Sequence, residues 1–177
     1  MPKVLVLFYS RTGNTAALAD RIADGARSVR FTEVDVRRLE DLTPDPVIVA
    51  DRAWAESRAQ LRQRYRTLEE VNVVAEYDAL VLGSPSHHGV MAAELGHFCE
   101  QLGPLAATGA LTDRVGAAFT PPPIDTTLWS ILTPLANLGL ILVPPAAADP
   151  HQHGARVATV AEWVRHAKSH AAGHHRH

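Results

Sequence analysis

Cysteine, lysine and long apolar segments are scarce in this chain of 177 residues. Cys99 is the single cysteine, which excludes an internal disulfide and any metal site built from several thiolates. Lys3 and Lys168 are the only lysines, and 17 basic residues against 19 acidic ones give a formal net charge of -2. That balance argues against a protein that holds nucleic acid on a basic face.

The apolar segments are too short to form a membrane-spanning helix. No run approaches the roughly 18–20 apolar residues that cross a bilayer. The first run, Val4–Tyr9, is shorter than the apolar part of a signal peptide, and no A-x-A cleavage site follows it. We therefore expect a cytoplasmic protein without a membrane span. The excess of arginine over lysine, together with abundant alanine, is typical of a GC-rich bacterial genome.

Strand-length apolar runs alternate with segments of helical spacing. Continuous apolar runs are typical of strands buried on both faces, whereas alternation with period two indicates a strand with one wetter face. Only the second run alternates in this way, so we predict that it lies at the sheet edge. The predicted strands are Lys3–Phe8, Phe31–Val36, Ala79–Gly83, Val115–Thr120 and Leu140–Val143.

Strands separated by helices predict a parallel sheet with right-handed crossovers and helices on both faces. The expected fold is α/β: a three-layer, doubly wound, five-stranded parallel sheet of flavodoxin-like strand order 2-1-3-4-5. We expect one domain over 1–171 and a disordered His-rich tail over 172–177, with surface loops at Asp41–Val47 and Pro144–Gly154. The apolar helical stripes are Leu18 and Ile22; Trp54, Leu61, Tyr65 and Leu68; Leu95, Phe98, Cys99 and Leu102; and Val157, Val160, Val164 and Ala167.

The loop after the first strand has the composition of a phosphate-binding loop. In an open parallel sheet, ligands bind beyond the carboxyl ends of the strands. Hydroxyls, a glycine and backbone N–H groups at a helix N-terminus favour an anion there. The alternative is that the same side chains merely cap the helix. The residues concerned are Ser10, Arg11, Thr12, Gly13, Asn14 and Thr15.

Several phosphate-site chemistries are excluded at this loop. The chain has no Gly-Lys-Ser/Thr, so a nucleoside triphosphatase of the P-loop kind is not expected. It lacks the G-x-G-x-x-G pattern of dinucleotide-binding folds, and no cysteine nucleophile is present for a phosphatase.

Two further loops follow the predicted third and fourth strands. In the first of them Pro85 stiffens the chain, and Gly89 allows close approach of the backbone to a ligand. His87 and His88 either donate to a ligand in this loop or are ordinary solvent-facing residues. The second of these loops begins at Thr120.

These motifs resemble a known family. Ser10–Thr15 (SRTGNT) after KVLVLFY is similar to the FMN phosphate loop of flavodoxins and related reductases. Tyr77–Gly89 (YDALVLGSPSHHG) and the later Thr108–Leu111 (TGAL) resemble the corresponding segments of WrbA-type NAD(P)H:quinone oxidoreductases. The resemblance implies FMN, with its phosphate on the first loop and its ring beside Ser86, His87 and His88.

The resemblance also implies a reaction and an assembly. NAD(P)H would supply a hydride to the flavin, which would pass it to a quinone-like acceptor, in a homodimer or homotetramer. No general acid or base is assigned, and the flavin-binding set implied is Ser10–Thr15, Pro85, Ser86, His87, His88, Gly89, Thr120, Pro121 and Pro122. Two alternatives remain open: a flavodoxin-type electron carrier, and a flavodoxin-like binding or scaffold protein that has lost FMN.

The chain departs from the family pattern at its third loop. Thr120 is followed by Pro121, Pro122 and Pro123, where relatives carry a Ser/Thr/Gly-rich stretch. Proline has no N–H, so this run removes three donors and puts a stiff apolar wall in their place. Family aromatics are replaced by Thr12 and Ala106, and a family histidine is replaced by Asn137 or Leu138.

Three remaining clusters have ordinary explanations. We expect no functional metal site at His151, His153 and the terminal histidines, because no carboxylate or thiolate accompanies them. An arginine row is interpreted as a solvated helix face, with contact to a nicotinamide-cofactor phosphate or a partner subunit as the alternative. An apolar helical row ahead of the last strand is predicted to be core or a subunit interface. The two rows are Arg58, Arg62 and Arg66, and Trp129, Leu132 and Leu135.

Overall fold

A six-stranded parallel sheet forms the centre of the protein. The structure is a computed structural model that describes residues 1–122, 126–145 and 149–174. Its sheet has the order β3-β2-β1-β4-β7-β8. The strands of this sheet are β1 (Lys3–Phe8), β2 (Glu33–Arg38), β3 (Arg66–Thr67), β4 (Ala79–Gly83), β7 (Val115–Phe119) and β8 (Ile141–Leu142); β5 (Ser86–His87) and β6 (Val90–Met91) pair separately as an antiparallel hairpin.

The predicted strand order is confirmed, and β1 and β4 have the predicted bounds. The sheet has six strands rather than five, because β3 pairs with Arg37 and Arg38 outside β2. The second strand is therefore not the edge strand. It also begins at Glu33 rather than Phe31, since Phe31 has a left-handed φ of 61° and is exposed in the turn before it.

Helices cover both faces, as the predicted three layers require. One core cluster joins α1 and α7 to one face of the sheet, and a second joins α4 and α6 to the other. The helices are α1 (Asn14–Arg27), α2 (Asp45–Ala50), α3 (Arg52–Arg64), α4 (Ala93–Gln101), α5 (Gly103–Ala107), α6 (Thr126–Asn137) and α7 (Pro150–His174), with a 3-10 helix at Val71–Glu76.

The segment between β2 and β4 is held by ion pairs as well as by apolar contacts. Arg62 is 3.0 Å from Glu40, and Arg58 is 2.6 Å from Asp45. Burial opposes ionisation of Glu40, but hydrogen bonds from Arg38 and Arg62 lower its pKa to about 2. The predicted row of arginines is therefore not one solvated helix face: two of its members are paired within this segment, and Arg66 lies in β3.

Two predicted loops are partly helical. The helix α2 (Asp45–Ala50) begins in the second half of the predicted loop Asp41–Val47 and continues beyond it. The predicted loop Pro144–Gly154 is cut short because α7 begins at Pro150, where a proline's missing N–H costs no helical hydrogen bond. The predicted disordered tail, 172–177, overlaps the end of α7, and residues 175–177 lie outside the described part of the chain.

Two glycines allow α1 and α7 to pack closely. A Cβ built on Gly25 would lie 1.9 Å from the carbonyl oxygen of His151, and one on Gly154 would lie 1.9 Å from that of Ile22. Each helix therefore presents a glycine to the backbone of the other. This contact brings the first turn of α7 against α1 below the sheet edge.

We expect Gly154→Ala to lower the free energy of unfolding by roughly 1–3 kcal/mol, the usual cost of overpacking a tight contact. Gly96→Ala is the matched control, because a Cβ at Gly96 in α4 meets nothing within 4 Å. The free energy of unfolding of Gly96→Ala should rise by about 0.5–1 kcal/mol, because alanine has a higher helix propensity than glycine. Urea unfolding of the two variants gives the comparison, and equal effects would contradict close α1–α7 packing.

Candidate functional site

Three loops leave the sheet side by side at the carboxyl ends of its central strands. Phe8 of β1 is in register with Gly83 of β4, and Gly83 is in register with Phe119 of β7. The pairing continues one residue further, since the Tyr9 N–H donates to the Gly83 carbonyl at 3.0 Å. The loops that follow these strands therefore start at one level of one edge, as the sequence predicted.

The first loop ends in a helix N-terminus that no side chain caps. α1 begins at Asn14 after Gly13, whose φ of 91° is left-handed. Ser10 is not a cap, because its Oγ accepts from the Gly13 N–H at 3.1 Å within the loop itself. Within the described chain no side chain bonds the first-turn N–H groups, and no acidic residue lies in that turn. Gly13 is therefore the N-cap residue of α1 without a side-chain cap from Ser10, Thr12 or Asn14, which leaves the first-turn N–H groups available to an anion.

The other residues of this loop differ in exposure. Thr12 and Asn14 are exposed and Thr15 is buried, with 1% of its surface accessible. The start of α1 therefore presents exposed polar side chains next to the buried Thr15.

The cation of the first loop contacts Trp54 of α3 and Asp51, the N-cap residue of that helix. The Arg11 guanidinium lies 3.6 Å from the centroid of the Trp54 ring, a cation–π contact, and 3.6 Å from a carboxylate oxygen of Asp51. Asp51 in turn accepts from the Trp54 N–H at the start of α3. The sequence pattern did not predict this contact between the first loop and α3.

A carboxylate below the first loop joins β1 to α3. Asp41 accepts hydrogen bonds from the Tyr9 hydroxyl and from the Trp54 indole N–H, each at 3.0 Å. Glu94, buried at the start of α4, accepts from the Leu42 N–H at 3.3 Å. Burial, together with the charges of Glu94 and Asp41, raises the pKa of Tyr9, so this hydroxyl stays protonated and acts as a donor.

The second loop is a hairpin rather than an open loop. His87 pairs with Val90, and the two residues between them, His88 and Gly89, both have positive φ, at 56° and 81°. Two left-handed residues in a two-residue connection are the pattern of a type I′ turn. The turn leaves both histidine side chains exposed at the predicted flavin edge. Pro85, predicted to stiffen this loop, is half-buried just before β5.

The first turn of α6 fixes this hairpin. Thr126 donates to the Gly89 carbonyl at 2.6 Å, and the Met91 N–H donates to Ser130 Oγ at 2.8 Å. Thr127 Oγ1 donates to Ser86 Oγ at 2.8 Å. These residues were missed by sequence reasoning, although a run of Thr and Ser at the start of a predicted helix was a usable signal.

Over its described residues, the third loop presents proline side chains rather than backbone N–H donors. Thr120 is buried, Pro121 is half-buried and Pro122 is exposed. Neither proline has an N–H to offer a ligand. Pro123, the last proline of the predicted run, lies outside the described residues.

The two histidines near the start of α7 differ in their exposure to solvent. His151 is exposed and His153 is buried with 5% of its surface accessible. Over residues 1–122, 126–145 and 149–174, no group of three or more His, Cys, Asp or Glu side chains is placed to hold a metal ion. The terminal histidines at 175 and 177 lie outside the described residues.

The predicted core cysteine and the predicted apolar row of α6 can also be placed. Cys99 is buried in the α4 core, and burial raises the pKa of its thiol to about 11, as expected for a small apolar residue. Trp129 is 65% exposed, whereas Leu132 and Leu135 are buried, so the predicted single face of α6 is divided. A subunit interface at Trp129 stays a prediction.

A cavity is lined by residues of β3, α3 and the 3-10 helix rather than by the three loops. A volume of about 510 Å³ opens between the β3 edge and the 3-10 helix. Its walls mix arginine with glutamate, including Arg62, Arg66, Glu69 and Glu70. This mixture offers no surface of a single charge to a phosphate group.

Comparison with known proteins agrees with this geometry. Residues 6–103 match the Flavodoxin family. The NAD(P)H dehydrogenase (quinone) of Chromohalobacter salexigens is 38% identical over 148 residues, covering 81% of this chain and 71% of that protein. The protein of the same name from a Bradyrhizobium species is also 38% identical, covering 81% and 70%. The chain therefore belongs to the flavodoxin family, and these relatives within it are NAD(P)H dehydrogenases (quinone).

Solved structures support the same fold. A WrbA-like flavodoxin from Agrobacterium tumefaciens superposes with a TM-score of 0.61 at 16% identity, covering 94% of this chain and 99% of that one. A flavodoxin from the domain Archaea gives a TM-score of 0.62 at 20% identity, covering 92% and 99%. Separately, none of the helices in the described part of the chain has the length and apolar character to span a membrane.

The strain at His88 gives a test of the hairpin. A left-handed φ costs an ordinary residue roughly 1–2 kcal/mol, and asparagine tolerates it best among residues with a side chain. We expect His88→Asn to raise the free energy of unfolding by up to about 1 kcal/mol, measured by urea unfolding. His87→Asn, on the adjacent strand position, should give no gain because asparagine disfavours strands. An equal gain at both positions would argue against the type I′ turn.

Proposed function

We propose that this chain is an FMN-dependent oxidoreductase that passes a hydride from NAD(P)H through the flavin to a quinone-like acceptor. The observation that carries the proposal is the uncapped N-terminus of α1 at the edge where the three loops meet. The names of the 38% identical relatives support the reaction class. FMN, when bound, would supply the hydride-transfer chemistry of the reaction.

The first loop suits a phosphate monoester. Two negative charges on the phosphate are stabilised by the helix dipole and by the first-turn N–H groups of α1. Gly13, with its left-handed φ, turns the chain into α1, and the Ser10 hydroxyl fixes that turn by accepting from the Gly13 N–H. Because the anion is held by amides and hydroxyls, a chain of net charge -2 needs no basic patch for this cofactor.

The second and third loops suit the two sides of a flat ring. The hairpin Ser86–Met91, held by α6, offers exposed polar groups at one side. Pro121 and Pro122 give the other side an apolar surface without N–H donors. We infer that the ring is held more by packing than by hydrogen bonds. The chain's own residues thereby position the cofactor and exclude water from one face, and none of them is assigned as an acid or base.

We also propose that the chain assembles as a homodimer or homotetramer and that the protein is located in the cytoplasm. The exposed Trp129 on α6 supports a subunit contact beside the hairpin.

Absorbance spectra test this function and its alternatives. FMN should bind the purified protein at micromolar concentration, and NADPH or NADH should bleach it anaerobically, with colour returning on addition of a quinone. Bound flavin that neither nucleotide bleaches would identify an electron carrier. Absence of flavin binding would leave the second alternative, a binding or scaffold protein that has lost FMN.

A glycine substitution tests where the phosphate binds. Gly13→Ala introduces no contact within 4 Å, but forces alanine to a φ of 91°. That conformation costs roughly 1–2 kcal/mol, so the binding-competent loop is less populated and FMN affinity should fall about tenfold. Gly103→Ala, which also meets nothing within 4 Å, should leave affinity unchanged. Fluorescence titration of FMN measures both, and an unchanged affinity in Gly13→Ala would contradict the assignment.

A further inference from the structure

A small cavity lies behind the third loop, between α1, α6 and the first turn of α7. Its volume is about 70 Å³. Most of its wall is apolar, and two polar side chains, Thr120 and His153, complete it. The apolar wall comprises Leu18, Ile22, Ala118, Phe119, Pro122, Leu128, Pro145 and Pro150.

Both polar side chains are buried without a partner among the described residues. Thr120 and His153 are each 5% exposed. The Thr120 hydroxyl and both ring nitrogens of His153 lack a hydrogen bond to any described group. The Ala118 carbonyl lies near the imidazole but not in hydrogen-bonding geometry. Three polar atoms on the wall of one cavity make an unusual cluster, because buried polar groups nearly always have a partner.

The charge state of His153 decides what it can bind. Burial lowers the pKa of His153, the nearby Ala118 carbonyl partly offsets this effect, and the charge of Arg156 reinforces it. The other charged groups near this turn are Asp149 and Arg21, which pair with each other at 2.9 Å. His153 is therefore neutral near pH 7, with one ring nitrogen as a donor and the other as an acceptor.

We propose that this cavity is a water-binding site, in which one or two ordered water molecules join Thr120 Oγ1 to the His153 imidazole. Water both donates and accepts, which matches a hydroxyl and a neutral imidazole. A cavity of about 70 Å³ has room for about two molecules at roughly 30 Å³ each. A neutral site lined by hydrocarbon disfavours an ion, because burying an unpaired charge is costly.

The bridge would tie α7 to the third flavin loop, an inference that rests on the proposed function. Thr120 opens that loop directly after β7, and His153 lies in the first turn of α7. Water between them fixes the start of the loop without contacting the flavin. His153 is thus a positioning residue.

A double-mutant cycle tests the bridge in the flavin-free protein. Thr120→Val and His153→Leu should each raise the unfolding equilibrium constant about tenfold, because each leaves the bridging water short of a partner. The double variant should be destabilised about tenfold as well, rather than about a hundredfold, since the whole network is then removed together. Thr120→Ser keeps the hydroxyl, and His166→Leu replaces an exposed histidine of α7, so both serve as controls. Additive effects overturn the bridge.

The water itself is observed by NMR. Long-lived water should give cross-relaxation peaks to the methyl groups of Thr120 and Ala118 in the wild-type protein, and these should vanish in Thr120→Val/His153→Leu. If His153→Leu fails to fold, two measurements still test the proposal. They are the wild-type spectrum and the comparison of Thr120→Val with Thr120→Ser. Absence of the peaks in the wild type overturns the proposal.

Flavin titration then separates this proposal from the function. His153→Leu should weaken FMN binding several-fold, whereas His166→Leu should not. An unchanged affinity in His153→Leu overturns the tie to the flavin loop. Failure of the wild-type protein to bind FMN would contradict the proposed function, while the cycle and the NMR peaks would still decide the water site.

Discussion

The Phe119 ring occupies the space that a side chain on Gly83 would fill. A Cβ at Gly83 would lie 2.1 Å from the ring, so the last residue of β4 has to be glycine for the last residue of β7 to pack inward. The two residues are in register with each other and with Phe8 of β1. The contact therefore lies where the ends of three strands stand at one level, and the three loops of the site start from these ends.

Above that edge, the groups that can stabilise an anion are backbone N–H groups rather than charged side chains. The one cation of the first loop, Arg11, is engaged by Trp54 and Asp51. Asp41 and Glu94 place carboxylates beneath the loop, where they hold Tyr9 and Leu42. An anion at the start of α1 is therefore stabilised by oriented N–H groups, whose effect falls off within the first turn. We propose that the phosphate of the cofactor binds at this point of a near-neutral surface.

The fold was largely predictable because its signals are local. Continuous apolar runs gave β1 and β4 with their observed bounds, and the turn residues Gly13 and Gly89 marked loops that the structure places at one edge. The predictions that were wrong concern features that depend on contacts between residues distant in sequence. β3 forms only where Arg66 meets Arg37, and Arg58 and Arg62 find carboxylates in other elements. The hairpin of the second loop likewise requires hydroxyls from α6, and the burial of His153 requires close packing of α7 on α1.

Amide shifts of the 15N-labelled protein during titration with FMN, and separately with riboflavin, test the central claim most directly. We predict that FMN shifts the amides of residues 10–17, 84, 86–91 and 120 together, and that riboflavin, which lacks the phosphate, shifts those of 10–17 far less. Shifts centred on the 510 Å³ cavity beside β3, or equal shifts of 10–17 with both ligands, would contradict an anion site at the N-terminus of α1.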